Sequence, residues 1–339
     1  MQRVNLGELE EFKVFQITRL IFRDSSLLRN MPRDCTGIGA NAGSTPWMGF
    51  VARMEVSTSA KFPHAEFFPP APAPRGSSRW LARMVDDRRE IVRFWPVIQN
   101  MVVQDLRVKY QRSFLGFFWT LLNPLLMMAT LSWVFSYLMK GFNNFPLFLF
   151  AGMVPWSFLS GSLNECALCI IANEGLIRKI YLPKLVFPVA RVLTNLLTFV
   201  LSLAAMYLLL LPMGARLTPS IICLPVLIGL FAMFTLGLGL ILATANTFYR
   251  DCGHLVSVIL QAWYFATPII YPMDTFGDSQ WRLLFNPALY FIELFHDVLY
   301  TGQWPRIGML AAAALFAATS LGIGYAIFKS HEDKMVFRL

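Results

Sequence analysis

Charge is what this 339-residue chain has least of: Asp, Glu, Lys and Arg together make up 14% of it, against about 25% in soluble domains. A soluble fold needs a polar face every few residues, and long stretches here have almost none. Cysteine is scarce too. Cys35 lies in a polar N-terminal stretch, and Cys166, Cys169, Cys223 and Cys252 lie in or beside apolar segments, which is no disulfide framework. Cys166 and Cys169 have the spacing of half a zinc site, but no second pair or nearby His completes it. They are expected as small packing residues, and no metal is expected. No 7–15-residue apolar stretch followed by small residues marks a signal peptide. No Gly-x-x-x-x-Gly-Lys-Ser/Thr loop occurs, so nothing in the chain can cradle the phosphates of ATP.

What is present is apolar length. A helix rises about 1.5 Å per residue, so roughly 20 apolar residues cross a bilayer core. Such segments occur at Leu115–Met139, Phe145–Ile171, Val186–Leu211, Ile221–Phe248, Leu255–Tyr271 and Ile307–Phe328. The fold class expected is an all-α polytopic membrane protein with six transmembrane helices. The surplus of nine positive charges then marks cytoplasmic loops; no basic patch is interleaved with stacking aromatics, so nucleic acid is not an expected partner.

Residues 1–83 read differently from the rest. They are polar and irregular, with a Pro-rich run at Pro69–Pro74, as in a disordered extension; a mis-assigned start before Met84 is the alternative. Residues 84–112 carry Ile91, Phe94, Trp95, Ile98, Val102, Leu106 and Tyr110 at near-helical spacing, with Arg88, Arg89, Arg93, Arg107, Lys109 and Arg112 among them. That pattern predicts an amphipathic helix in the membrane interface, packed on the bundle or not. Residues 113–339 form the transmembrane domain. Basic loops alternate with poor ones. Arg178, Lys179 and Lys184 follow the second segment, and Lys329, Lys334 and Arg338 end the chain. Both termini are therefore expected in the cytoplasm.

An even number of spans leaves no room for Leu283–Leu299 as a seventh. It carries Glu293, His296 and Asp297 at helical offsets on one face, costly in lipid. Tyr271–Pro305 is thus expected as an external, partly re-entrant helical hairpin, broken at Pro272 and Asn286-Pro287, between spans five and six. Glu165 and Arg191 lie near the cytoplasmic ends of spans two and three, where they pair or Arg191 snorkels outward.

Four stretches together resemble the membrane subunit of ABC-2 type exporters of polysaccharides and polyol phosphates. They are Arg112–Pro124 (RSFLGFFWTLLNP), Leu176–Pro188 (LIRKIYLPKLVFP), Tyr249-Arg250-Asp251, and Pro272-Met273 followed by Asn286-Pro287 and Ile292-Glu293. The resemblance covers residues 86–339. Many relatives carry Arg where this chain has His296. The resemblance implies a homodimer paired with two separate ABC ATPase subunits in the cytoplasmic (inner) membrane. ATP and Mg would be bound by that partner, with no cofactor in this chain and no catalytic residue. Its cargo would be a glycan on undecaprenyl diphosphate, such as O-antigen or capsule. By analogy Glu174, Gly175, Arg178 and Lys179 form the main ATPase-coupling helix, and Tyr249, Arg250 and Asp251 a smaller contact. From the residues alone the first of these is equally a connecting loop.

Three further groups follow from the chemistry of such a cargo. A diphosphate head needs cations, and Arg107, Lys109 and Arg112 are placed to receive it, or to anchor the chain to acidic lipids. Sugars stack on aromatic faces, so Trp119, Trp133, Tyr137, Trp156, Trp263 and Tyr264 are candidates for a glycan path; interfacial belts use the same residues. Glu293, His296 and Asp297 shape an external gate or are a satisfied polar face of the hairpin. Two other functions compete. One is an ABC-2 exporter of drugs or other hydrophobic compounds. The other is a polyprenyl-lipid enzyme, which would place paired carboxylates at a loop edge; the adjacent acidic pairs here are Glu10-Glu11, Asp86-Asp87 and Glu332-Asp333.

Overall fold

The computed structural model describes residues 89–110, 118–135, 144–179, 182–211, 218–273, 283–335 and 338. The extension 1–83, Arg112 and Tyr137 lie outside these residues. Every regular element described is helical. They are α1 (Trp95–Tyr110), α2 (Phe118–Phe135), α3 (Phe145–Ala172), α4 (Glu174–Lys179), α5 (Val186–Leu210), α6 (Leu224–Phe248, entered by a 3-10 turn), α7 (Cys252–Phe265), α8 (Pro287–Phe295, continued by a π-helical turn) and α9 (Ile307–Met335).

Four helices are long and apolar enough to cross a bilayer: α3, α5, α6 with its entering turn, and α9. They coincide with the second, third, fourth and sixth segments read from the sequence. The first and fifth are shorter as helices. α2 has 18 residues with Pro124 inside it. α7 has 14, about 21 Å at helical rise, and stops at Phe265 although the apolar text runs on to Tyr271. Pro268 supplies the reason. It has no N–H for the carbonyl of Tyr264, and its ring disfavours helix in the residue before it. The chain closes with a tight turn instead, the Thr267 N–H donating to the Tyr264 carbonyl over 3.2 Å.

Lipid is as apolar as leucine, so helices in a bilayer associate through close packing and internal hydrogen bonds. Both operate here. Where α6 crosses α9, Gly237 lies against the backbone of Ser320 and Leu321, and Gly324 against that of Gly237. No Cβ fits at either glycine. The Ser320 hydroxyl donates across the same crossing to the Phe234 carbonyl, 2.9 Å away. A cluster of phenylalanines fills the centre, with Phe158 stacked on Phe199 (5.1 Å between rings) and Phe231 against Phe291 (5.1 Å) and Phe295 (5.7 Å).

α1 carries Val97, Ile98, Met101 and Val102, a helical stripe that is buried against Ile170 of α3 and Val186, Phe187 and Ala190 of α5. Each such side chain is worth about 1.5–3 kcal/mol when fully buried. Asp105 on the same helix pairs with Arg191 of α5 at 2.7 Å. Glu165, the partner the sequence offered to Arg191, accepts a hydrogen bond from Asn195 Nδ2 instead, also at 2.7 Å. α1 is thus clamped to the bundle, and its clamp captures the arginine of α5.

Candidate functional site

α3 runs for 28 residues, about 42 Å, and the candidate residues collect at its two ends and along its flanks. At its C-terminal end Asn173 closes the helix and α4 begins. No residue of α4 is buried. Leu176 and Ile177 rest against the bundle, while Arg178 reaches back to Glu174 over 2.7 Å and stays 59% exposed. The result is a short element with one apolar and one charged side. Behind it, Lys184 Nζ donates to the carbonyl of Glu332 at the end of α9, 2.7 Å away. Burial pushes that ammonium below its ordinary value, against the pull of the Glu332 carboxylate.

The turn Tyr249-Arg250-Asp251 sits at the same end of α3 and is exposed. Asn246, fully buried, fixes it there. Its Nδ2 donates to the Ala167 carbonyl at 2.8 Å, and its Oδ1 accepts from the Gly253 N–H at 2.7 Å. Sequence reading passed over Asn246, though an amide three residues before a charged turn was a visible signal. The two coupling candidates therefore share one end of the bundle. Arg107 and Lys109 are exposed on the last turn of α1.

The predicted aromatics do not share one surface. α2 lies loosely over α3, with Met128 its one buried residue among those described, and leaves a groove on either side. Asn123, Pro124 and Ser157 border both grooves. The first, about 350 Å³, opens between α2, α3 and α7. Ser157, Ser160 and Asn164 stripe one wall at helical spacing and Ser257, Gln261 and Tyr264 the other, with Trp156 between them. Ser257 donates to Asn164 Oδ1 at 3.0 Å. The rings of Trp156 and Tyr264 lie 5.7 Å apart. Among the described residues no charged side chain lines this groove. Trp263 packs edge-on against Trp156, with ring centroids 5.7 Å apart, and its indole N–H donates to Asn286 Oδ1 at 2.8 Å. Trp133 is 71% exposed on α2 and borders neither groove. Trp119 borders the second groove, about 440 Å³ between α1, α2, α3 and α5, together with Lys109 and Glu165. The serine, asparagine and glutamine stripes were missed in the sequence, although their i, i+3 or i+4, i+7 spacing was legible.

At the other end of α3, Glu293 and Asp297 converge as their spacing predicts, and on a partner the sequence reading overlooked. Arg306 Nε donates to Asp297 Oδ2 at 3.0 Å, and its Nη2 donates to Glu293 Oε2 and Asp297 Oδ1, both at 3.2 Å. Arg306 is the one Lys or Arg between Arg282 and Lys329, which was the available clue. Burial acts to raise the Glu293 carboxyl. The neighbouring His296 and Arg306 outweigh it and hold the group below its ordinary value. The His296 ring also stacks on Phe148 in the first turn of α3, with ring centroids 4.2 Å apart. Asn286 ties this hairpin to the end of α7, capping α8 through Ala288 N–H and donating to Thr267 Oγ1. The structure thus brings Glu293 and Asp297 together on Arg306 and keeps His296 beside them, its Nδ1 3.9 Å from Glu293 Oε1.

Residues 96–300 match the family pattern of the ABC-2 type transporter, and the chain belongs to that family. Among known proteins it is 35% identical over 250 residues to the O-antigen export system permease protein RfbA of Myxococcus xanthus, covering 73% of this chain and 96% of the relative. A protein of the same name from Klebsiella pneumoniae is 29% identical over 59% of this chain and 78% of the relative. The polysialic acid transport protein KpsM of Escherichia coli is 25% identical over 70% and 95%.

Proposed function

We propose that this chain is the permease subunit of an ATP-driven exporter that carries a lipid-linked polysaccharide, such as O-antigen or capsule, across the cytoplasmic membrane. The groove between α2, α3 and α7 carries the reading. It offers hydroxyls, amides and the half-buried ring of Tyr264, backed by the buried Trp156, and no charged side chain among the described residues. Aromatic faces hold sugar C–H surfaces, and hydroxyls and amides exchange hydrogen bonds with a chain sliding past them. A path for hydrophobic compounds would not need facing rows of serine, asparagine and glutamine, whose desolvation is costly in a membrane. The names of the relatives favour the same cargo.

In this reading α2 and α7 complete the set of six spans together with the four long helices. Both termini are cytoplasmic, and two copies of the chain pair around the path. Two copies of a separate ABC ATPase dock on α4 and on Tyr249–Asp251 and supply the work. Closure of those subunits on ATP pushes the charged elbow, which α3 and the Lys184–Glu332 link connect to the bundle. The external hairpin, closed by Arg306 on Glu293 and Asp297, gates the far end.

Purified chain alone should hydrolyse no ATP. Co-expression with a neighbouring ATPase should yield a complex whose hydrolysis rises several-fold with lipid-linked glycan. Arg178→Glu with Lys179→Glu should lose that complex. Hydrolysis by the chain alone, or a complex indifferent to the double reversal, would overturn the reading.

A further inference from the structure

We propose that the groove between α1, α2, α3 and α5 is a recognition site for a glycosyl phosphate, the unit that joins a glycan to its lipid carrier. The inference rests on the export reading above and assigns it a second, separate site. Its starting point is Glu165, the one charged residue of α3. A carboxylate on a membrane-length helix is expensive, and such residues pair or serve a ligand. Its expected cation, Arg191, is taken by Asp105 at 2.7 Å. What holds Glu165 is the neutral amide of Asn195, which orients the carboxylate without cancelling its charge.

The surroundings of Glu165 are those of a sugar site. Asn195, Thr198 and Ser202 form a polar stripe along α5 at i, i+3 and i+7, and all border the groove. Asn195 gives its amide protons to Glu165 and the Arg191 carbonyl, and Thr198 its hydroxyl proton to the Thr194 carbonyl, so the stripe and the carboxylate face the groove chiefly as acceptors. Together they match a pyranose, whose hydroxyls donate to them. Trp119, 55% exposed, offers a ring face to its C–H surface. The volume of about 440 Å³ lies in the range of small-molecule sites. The floor is open because Gly161 lies there: a methyl group on it would touch only Asn195 Oδ1, at 3.7 Å.

The negative end of the ligand is fixed by Lys109, which borders the same groove from the last turn of α1. Lys109 and Glu165 form no ion pair with one another among the described residues, so the groove presents a cation and an anion to one guest. That guest must donate hydrogen bonds at one end and carry negative charge at the other. A glycosyl phosphate does both. An aminophospholipid head also spans two charges, but it uses neither the aromatic face nor the hydroxyl stripe.

The test uses the full chain in phosphatidylglycerol nanodiscs. Two probes are titrated: a short polyprenyl diphosphate bearing one N-acetylglucosamine, and the same diphosphate without sugar. Charge-assisted hydrogen bonds to the sugar should make wild type bind the first about tenfold more tightly. Glu165→Gln should abolish that preference while leaving the bare diphosphate within twofold. Gly161→Val, which fills the floor without altering charge, should do the same. Lys109→Ala should weaken both probes alike. Full discrimination retained in both Glu165→Gln and Gly161→Val would overturn the site, as would displacement of both probes by phosphatidylethanolamine. Failure of wild type to bind either probe would overturn the site and the export reading together; discrimination retained in both variants, with both probes still bound, overturns the site alone.

Discussion

Removing Arg306 should show how the hairpin that carries α8 is held. In Arg306→Ala the three hydrogen bonds to Glu293 and Asp297 vanish, leaving two carboxylates that are 12% and 11% exposed. Breaking a buried pair by deleting one partner costs about 3–5 kcal/mol. Arg306 is 54% exposed, so water reaches this cluster and screens part of the loss. We expect about 2–3 kcal/mol, which is about 5–10 °C in the midpoint of thermal unfolding for a unit of this size. Scanning fluorimetry of the purified protein in detergent reads it directly. The triple variant Arg306→Met, Glu293→Gln, Asp297→Asn should recover most of the loss, since it leaves no buried charge unpaired. If Arg306→Ala melted within a degree of wild type, or the triple variant melted no higher than Arg306→Ala, the clamp would not be what closes the hairpin.

The same cluster sets a pH dependence. Glu293 is held below its ordinary value in the fold, so the unfolded chain binds its proton more readily; its contribution is complete above the ordinary carboxylate range and is lost as pH falls through the depressed value. The unfolding midpoint of wild type should therefore gain nothing from this group between pH 5 and 7 and lose its support only under stronger acid. Asn246→Ala removes two buried hydrogen bonds and leaves the Ala167 carbonyl and Gly253 N–H without their partner. A loss of about 2–4 kcal/mol is expected, read as faster limited proteolysis at the Tyr249–Asp251 turn. Gly324→Leu forces α6 and α9 apart at their closest approach. Membrane insertion should survive it and a monodisperse detergent-solubilised peak should not.

Four of the membrane segments were legible in the sequence because length and apolarity alone define a crossing helix. The short α7 was legible too, through Pro268, but hydrophobicity masked the break. Helix rotation was the harder problem. In lipid the outer and inner faces are both apolar, so aromatic residues do not declare which way they point. Trp156 and Trp263 are buried or engaged, Trp119 faces a second groove, and Trp133 faces outward. Only the small polar residues reveal the seam, because each must find a hydrogen-bond partner. Arg191 illustrates a different limit. Glu165 lies at the right depth for it, and the choice of Asp105 depends on where α1 docks, a contact between elements 86 residues apart in sequence. Charge patterning did anticipate the exposed side of α4 and the convergence of Glu293 with Asp297, since both depend on spacing within one helix.

The most direct test of the account is transport itself. Inverted membrane vesicles containing the chain and its ATPase partner should accumulate lipid-linked polysaccharide in their lumen when ATP is added. Accumulation should fall at least tenfold in vesicles whose chain carries Arg178→Glu and Lys179→Glu, although both proteins remain in the membrane. Accumulation that persists without the ATPase, or that is indifferent to the double reversal, would contradict it.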